Sequence, residues 1–332
     1  MREPSFWWRE PGLEAALLAP LAAVNGAVAG LRKRWPGRAV GVPVVCVGNL
    51  TVGGAGKTPA ALAIGRMLAD AGHRVFFLSR GYGGSFIGPV RVDRARHGAA
   101  EVGDEPLLLA RHAPTIVSHD RVAGAEIARA AGATVIVMDD GFQNPSLHKD
   151  FALIVLDGRR GIGNGRAIPA GPLRAALETQ LDHAHALLIV GEPSGAATAA
   201  LAAATARNIP IFHGRLEPDA AAIANLRGRR FLAFAGIADP EKFFASLAEA
   251  GIAAPVTQGF PDHHRYSRAE AEDLLASAAR EGLVPVTTEK DLARMKGDEN
   301  VAMLERTACA LPVTLRIEEE ATLRRLLPAK TA

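Results

Sequence analysis

Cysteine is scarce in this 332-residue chain, and its two copies, Cys46 and Cys309, form no Cys-x-x-Cys spacing. That excludes a disulfide framework and a zinc site, and it suits a reducing cytosol. An excess of one charge sign is also missing, since 38 basic side chains stand against 35 acidic ones. The resulting +3 gives no general attraction for nucleic acid, so anion binding is left to local sites. No secretory leader is readable, because Glu3, Glu10 and Glu14 interrupt the start. Internal repeats are absent, and low complexity is confined to an alanine-rich helix at 196–206. What remains is the balance of a folded globular protein, 48% hydrophobic and 22% charged, long enough for two packed units.

Residues 13–31 hold one charge, Glu14, over about one bilayer-spanning length. Alanine, glycine, Pro20 and Asn25 weaken the case for a full span. The larger apolar residues, Leu13, Leu17, Leu21, Val24, Val28 and Leu31, follow a single helical stripe. Phe6, Trp7, Trp8 and Arg9 precede it, and Arg32, Lys33, Arg34, Trp35 and Arg38 follow. These are the flanks of a helix lying at a lipid interface, so residues 1–38 are expected to associate with a membrane from its cytoplasmic side. The alternative is a helix covering the sheet, its ends closed by the tryptophans.

Beyond residue 40, short β-branched runs alternate with helical stretches. The runs at 43–48, 74–79, 115–118, 134–138, 151–156 and 186–190 are mostly apolar without alternation, as in strands buried on both faces. A doubly wound, mainly parallel α/β sheet is therefore expected over 39–218. A polar stretch at 215–228 separates it from a second, smaller α/β unit over 225–332. The smaller unit is read as a strand at 231–235, helices at 240–250 and 267–281, and a strand at 284–287.

The chemistry begins at Thr51, Val52, Gly53, Gly54, Ala55, Gly56, Lys57 and Thr58, lying between the first strand and a helix. Glycines let successive N–H groups turn inward at phosphate oxygens, Lys57 supplies a mobile cation, and Thr58 offers its hydroxyl to Mg²⁺. Thr51 stands where glycine is usual, so this is a variant of the P-loop. An apolar run then ends in Asp139 and Asp140, where such enzymes keep the carboxylate that orients the metal. Arg80 and Tyr82 follow the second strand, at the edge where doubly wound folds bind ligands. Arg166 and Arg174 frame a Gly/Pro-rich loop and have the forked geometry for phosphate.

Taken in order, Ser79-Arg-Gly-Tyr-Gly83, Val102-Gly-Asp-Glu-Pro106, Asp139-Asp-Gly-Phe-Gln143, Gly163-Asn-Gly-Arg166, Pro169-Ala-Gly-Pro-Leu-Arg174, Asp262-His263 and Thr288-Glu-Lys-Asp291 make the chain resemble the tetraacyldisaccharide 4'-kinases of lipid A synthesis. The resemblance runs from the N-terminal helix to about residue 295. It implies transfer of the ATP γ-phosphate to the 4'-hydroxyl of a tetraacylated glucosamine disaccharide 1-phosphate, with Mg²⁺, at the cytosolic face of the inner membrane. It also implies two α/β units facing a cleft in which Asp104 and His263 meet as a catalytic pair beside Lys57. Arg80, Tyr82, Asn164, Arg166 and Arg174 fall to the lipid A disaccharide precursor, and no protein partner is required.

Two positions depart from the family's pattern, Asn144 where His is usual and Ala175 where Glu is usual. If that Glu assists the metal in relatives, the duty here passes to Asp139, Asp140 or Glu178. Taken alone, Gly103-Asp-Glu-Pro106 also reads as a capped helix start, and His263 and His264 as turn residues. The main competing function is a P-loop nucleotide-hydrolysing switch or metal-delivery GTPase. Against it, Lys290 and Asp291 lack the spacer of a guanine-reading Asn-Lys-x-Asp, and no Cys or His cluster could carry a metal ion. A helix start at Thr288 is the plain account of that segment, and its function is left open.

Overall fold

The computed structural model describes residues 3–33 and 35–329. The longer apolar runs become the middle of a sheet: β1 (Val44–Asn49), β2 (Val75–Ser79), β4 (Thr115–Val117), β5 (Val135–Asp139), β6 (Phe151–Asp157) and β7 (Ala186–Val190). Successive side chains divide between two cores, as the pleat requires. Val44, Cys46, Ile136 and Met138 enter one, while Val45, Val47, Val135 and Val137 enter the other. The second core also takes Ala60, Ile64, Met67 and Leu68 of α2 (Lys57–Asp70).

Three less apolar strands complete this sheet: β3 (Val90–Arg91), β8 (Ile211–Pro218) and β13 (Val313–Ile317). The nine strands lie in the order β13-β8-β7-β6-β1-β5-β2-β4-β3. All neighbours pair in parallel except at the edges, where β13 runs antiparallel to β8 and β3 antiparallel to β4. A second sheet of four parallel strands has the order β10-β9-β11-β12, from β9 (Arg230–Ala235), β10 (Ala253–Gly259), β11 (Val284–Thr288) and β12 (Cys309–Leu311). It too is cored on both faces, with Leu232 and Phe234 on one side and Phe231, Ala233 and Ala235 on the other.

One expectation needs correction. Residues 313–329 do not belong to the smaller sheet: β13 pairs with β8, and Leu323 and Leu327 pack into the core beneath the larger sheet. Only Leu315 and Ile317 of β13 are buried, so its exposed Thr314 and Arg316 conceal the return.

The helix α1 (Leu13–Lys33) touches the protein by its small residues, Ala15 and Ala22, and Asn25 donates to the Ile168 carbonyl at 2.9 Å. Its apolar stripe points away, with Leu13 74%, Leu17 72% and Leu21 60% exposed, and Val24, Val28 and Leu31 exposed beyond them. By length and composition this helix is long and apolar enough to cross a membrane. The flanks are less lipid-facing than expected. Trp7 is buried and donates to the Pro169 carbonyl at 3.0 Å, while the Lys33 amine lies 3.6 Å over the Phe142 ring. Arg34 lies outside the described residues.

Candidate active site

β1 ends at Asn49, and the chain turns through residues 50–56 into α2. Gly56 makes that turn possible, since its φ of 86° is one that side-chain-bearing residues rarely adopt. Lys57 folds back over the loop, its amine 3.2 Å from the Gly53 carbonyl and 3.8 Å from Asp140. Burial lowers its pKa despite the neighbouring Asp140 and Asp139 charges, so an anionic ligand here would find a cation short of counter-charge.

The two strand-end aspartates are not alike. Thr58 donates to Asp139 Oδ2 at 3.2 Å, whereas Asp139 Oδ1 is buried with no hydrogen-bond partner among the described residues. Burial, reinforced by Asp140, pushes the Asp139 carboxyl up to about 6. Asp140 has a positive φ of 52°, and Arg174 approaches it at 3.5 Å. There burial is outweighed by Lys57, Arg174 and Arg121, and its pKa falls. A threonine hydroxyl beside an unpartnered carboxylate oxygen, with a second carboxylate next to it, fits a hard divalent cation.

Asp104 begins a short helix, Asp104–Leu109, but Gly103 holds the cap position, so capping is not its role. Gly103 has φ 88°, and a Cβ there would come within 2.7 Å of the Tyr82 carbonyl. Only glycine brings the helix this close to the loop after β2. Asp104 is 3% exposed. His263, from a turn of the smaller unit and itself at φ 56°, places Nδ1 3.5 Å from Asp104 Oδ1, with the Tyr82 ring 5.0 Å from the imidazole. Burial would raise the Asp104 carboxyl, but His263, Glu105, Lys290 and Arg294 together hold it well below the usual range. Burial would likewise lower His263, yet Asp104 and Glu105 raise it above the ordinary histidine value.

The other expected residues divide. Tyr82 is exposed with its ring beside His263, and Arg80 is exposed just after β2. Arg174 is occupied with the loop itself, its Nε 3.1 Å from the Thr51 carbonyl. The Asn164 amide is used inside its own turn, donating to Ala170 at 2.9 Å and accepting from the Arg166 N–H at 3.0 Å. Arg166 is exposed on that turn, whose Ile168 carbonyl receives Asn25 of α1. Asn144 closes a turn by accepting from Ser146, and Ala175 is fully buried.

Several contributors escape a sequence reading. Gln180, buried in a helix with no motif, donates to the Leu50 and Ala175 carbonyls and accepts from Gln143 at 2.6 Å, tying the phosphate loop to Asp139-Asp-Gly-Phe-Gln143. Arg121 is a buried cation with an unpartnered Nε. Thr288 does cap its helix, and Asp291 is buried, accepting from Thr288, Tyr266, Arg294 and the Gly236 N–H. That segment is a structural knot built around the buried Asp291.

A parallel sheet whose first strand feeds a glycine loop, a Lys-Thr pair and strand-end aspartates defines a P-loop nucleotide-binding enzyme. The model of the family described as tetraacyldisaccharide-1-P 4'-kinase matches residues 14–332. The chain is 54% identical over 330 residues to the tetraacyldisaccharide 4'-kinase of Rhodopseudomonas palustris strain BisA53, covering 99% of this chain and 96% of that one. To the enzyme of Methylobacterium sp. strain 4-46 it is 57% identical over 305 residues, 92% of either chain. Among solved structures it is similar to LpxK from Aquifex aeolicus in complex with ATP, with a TM-score of 0.71 at 27% identity, covering 94% of this chain and 98% of that one. The chain belongs to the tetraacyldisaccharide 4'-kinase family.

Proposed function

We propose that this protein is the membrane-associated kinase that transfers the γ-phosphate of ATP to the 4'-hydroxyl of a tetraacyldisaccharide 1-phosphate. The observation that carries the reading is a carboxylate–imidazole pair contributed by the two units, the buried Asp104 of the larger and the half-buried His263 of the smaller, 3.5 Å apart. A sugar hydroxyl must lose its proton as it attacks phosphorus, and a positioned base contributes about 10² to 10⁴-fold to such a step. The hydroxyl proton passes to the Asp104–His263 pair, the oxygen bonds to the γ-phosphorus, and the bond to the bridging oxygen breaks to release ADP.

Lys57 and the N–H groups of 53–58 hold the triphosphate in line for that attack. Thr58 and Asp139 would hold Mg²⁺, with Asp140 beside them, and the ion when bound neutralises charge on the phosphate oxygens. Arg80 and Tyr82 face the acceptor, Asn164 shapes the turn carrying Arg166, and Arg174 fixes Thr51 and Asp140. The exposed stripe of α1 supports association with the cytoplasmic membrane face, where an acylated substrate resides.

Mass spectrometry tests this directly. Incubating the tetraacyldisaccharide 1-phosphate in mixed micelles with ATP, Mg²⁺ and protein should add one phosphate, and Lys57→Ala should lower turnover by about 10² to 10³-fold through lost charge stabilisation. ATP hydrolysis without phosphorylated lipid would reject the reading.

A further inference from the structure

Asp104 and Glu105 are consecutive acids, the first buried and the second half-buried, on a helix of the larger unit. The smaller unit answers them from the Glu289–Met295 helix with two cations one turn apart. Lys290 Nζ lies 2.9 Å from Glu105 Oε1, and Arg294 Nη2 lies 2.5 Å from Asp104 Oδ2. Arg294 is itself fastened: Nη1 donates to Asp291 at 2.9 Å and to the carbonyls of Gly236 and His264 at 3.1 Å. Its side chain is 6% exposed, and it stands between Asp104 and a cavity of about 480 Å³ that is also lined by Arg94, Arg96, Arg265 and Lys296.

We propose that Arg294, assisted by Lys290, is a positioning residue of the phosphotransfer reaction: from the smaller unit it aims the Asp104 carboxylate at His263 and keeps it ionised and dry. The proposal rests on the assignment of Asp104 and His263 as the base. Its consequence is that the base is complete only when the two units are docked. Both cations come from one side of the interface and both acids from the other, with Arg111 and Glu289 forming a further cross-unit pair at 2.9 Å. A fixed guanidinium suits this duty better than an ammonium, because its fork spans Asp104 and Asp291 at once.

The groups facing Asp104 are Glu105 on its own helix, His263 and Asp262 from the turn after β10, Lys290, Asp291 and Arg294 from the helix opposite, and the Tyr82 ring. Removing one cation from that set leaves an acidic cluster around the imidazole. The proton affinity of the Asp104–His263 pair must then rise.

The experiment is the pH profile of kcat for the full chain with saturating ATP and micellar acceptor, comparing Arg294→Gln, Arg294→Lys and Asp104→Asn with the parent. ATP affinity and unfolding temperature serve as controls. Arg294→Gln should move the acid limb upward by roughly one to three pH units, the range for losing an adjacent opposite charge, and lower kcat at neutral pH by about 10 to 100-fold. Arg294→Lys should restore the limb more fully than the rate. Equal loss of kcat at every pH, with the limb in place, overturns the proposal. If Arg294→Gln does not fold, Lys290→Met decides in the same way, because its limb should shift in the same direction. Asp104→Asn with near-parental turnover would instead remove the base assignment itself. Loss of more than about 100-fold in Asp104→Asn beside an unshifted Arg294→Gln limb would refute only the role of Arg294.

Discussion

The outward stripe of α1 allows the membrane contribution to be separated from folding. Leu13, Leu17 and Leu21 are 74%, 72% and 60% exposed, so replacing them removes apolar surface without opening a cavity. Glutamine is the suitable replacement, being nearly as good a helix former as leucine. Full burial of a leucine side chain contributes about 1.5–3 kcal/mol, and the exposed share makes each of these worth about 1.4 kcal/mol on entering a bilayer interface. That is about tenfold in partitioning per residue, and roughly a thousandfold for Leu13→Gln, Leu17→Gln and Leu21→Gln combined. Co-sedimentation with vesicles of fixed lipid composition measures the loss, and the unfolding free energy should stay within about 0.5 kcal/mol per exposed substitution. Turnover of micellar acceptor should fall while ATP affinity is retained. Vesicle binding unchanged by all three substitutions would refute the interfacial role of the stripe. A large drop in unfolding temperature would mean instead that the stripe packs against the protein.

Three further predictions concern the cleft. Asp139 titrates near 6, raised by burial and by Asp140, so at pH 6 it is about half protonated before a metal binds. Mg²⁺–nucleotide binding should then release about half a proton at pH 6 and almost none at pH 8, read as buffer-dependent heat in calorimetry. Heat independent of the buffer would argue against Asp139 as ligand. On the proposed reading, the Asp104–His263 pair accepts the acceptor's proton only when His263 is neutral. Because the folded His263 pKa is raised, activity should rise with pH through a limb lying above the ordinary value of about 6.5. A limb below 6 would contradict the pairing with Asp104. Finally, Gln180→Leu strands two carbonyls and Gln143, and should cost about 2–4 kcal/mol. A denaturant midpoint matching the parent would show that these bonds are replaced.

How much of this was open to a reader of the sequence follows from where each residue's partner lies. The strand–loop–helix at 44–70 is local, so glycine spacing and an apolar run were enough to announce it, and strands buried on both faces read as uninterrupted runs. Strands such as β10, with alternating or largely exposed residues, left no such run, and β13 joins a partner about 100 residues earlier, a pairing no local pattern encodes. The family resemblance pointed to Asp104 and His263, and the structure brings them to 3.5 Å across 158 intervening residues.

What neither local pattern nor motif supplied was the set of ions that makes a buried carboxylate tolerable. A charge inside protein needs a partner and hydrogen bonds to offset its lost hydration. For Asp104 that compensation comes from Arg294, itself held by Asp291, which is held by Thr288 and Tyr266. Thr288-Glu-Lys-Asp291 could be identified as a motif but not explained, because the partner of its Lys290, Glu105, lies 185 residues upstream. On the proposed reading, the phosphotransfer chemistry and the docking of the two units depend on the same few side chains. Substitutions in this knot should therefore change kcat and the cohesion of the two units together, whereas changes at Lys57 should affect the phosphate alone.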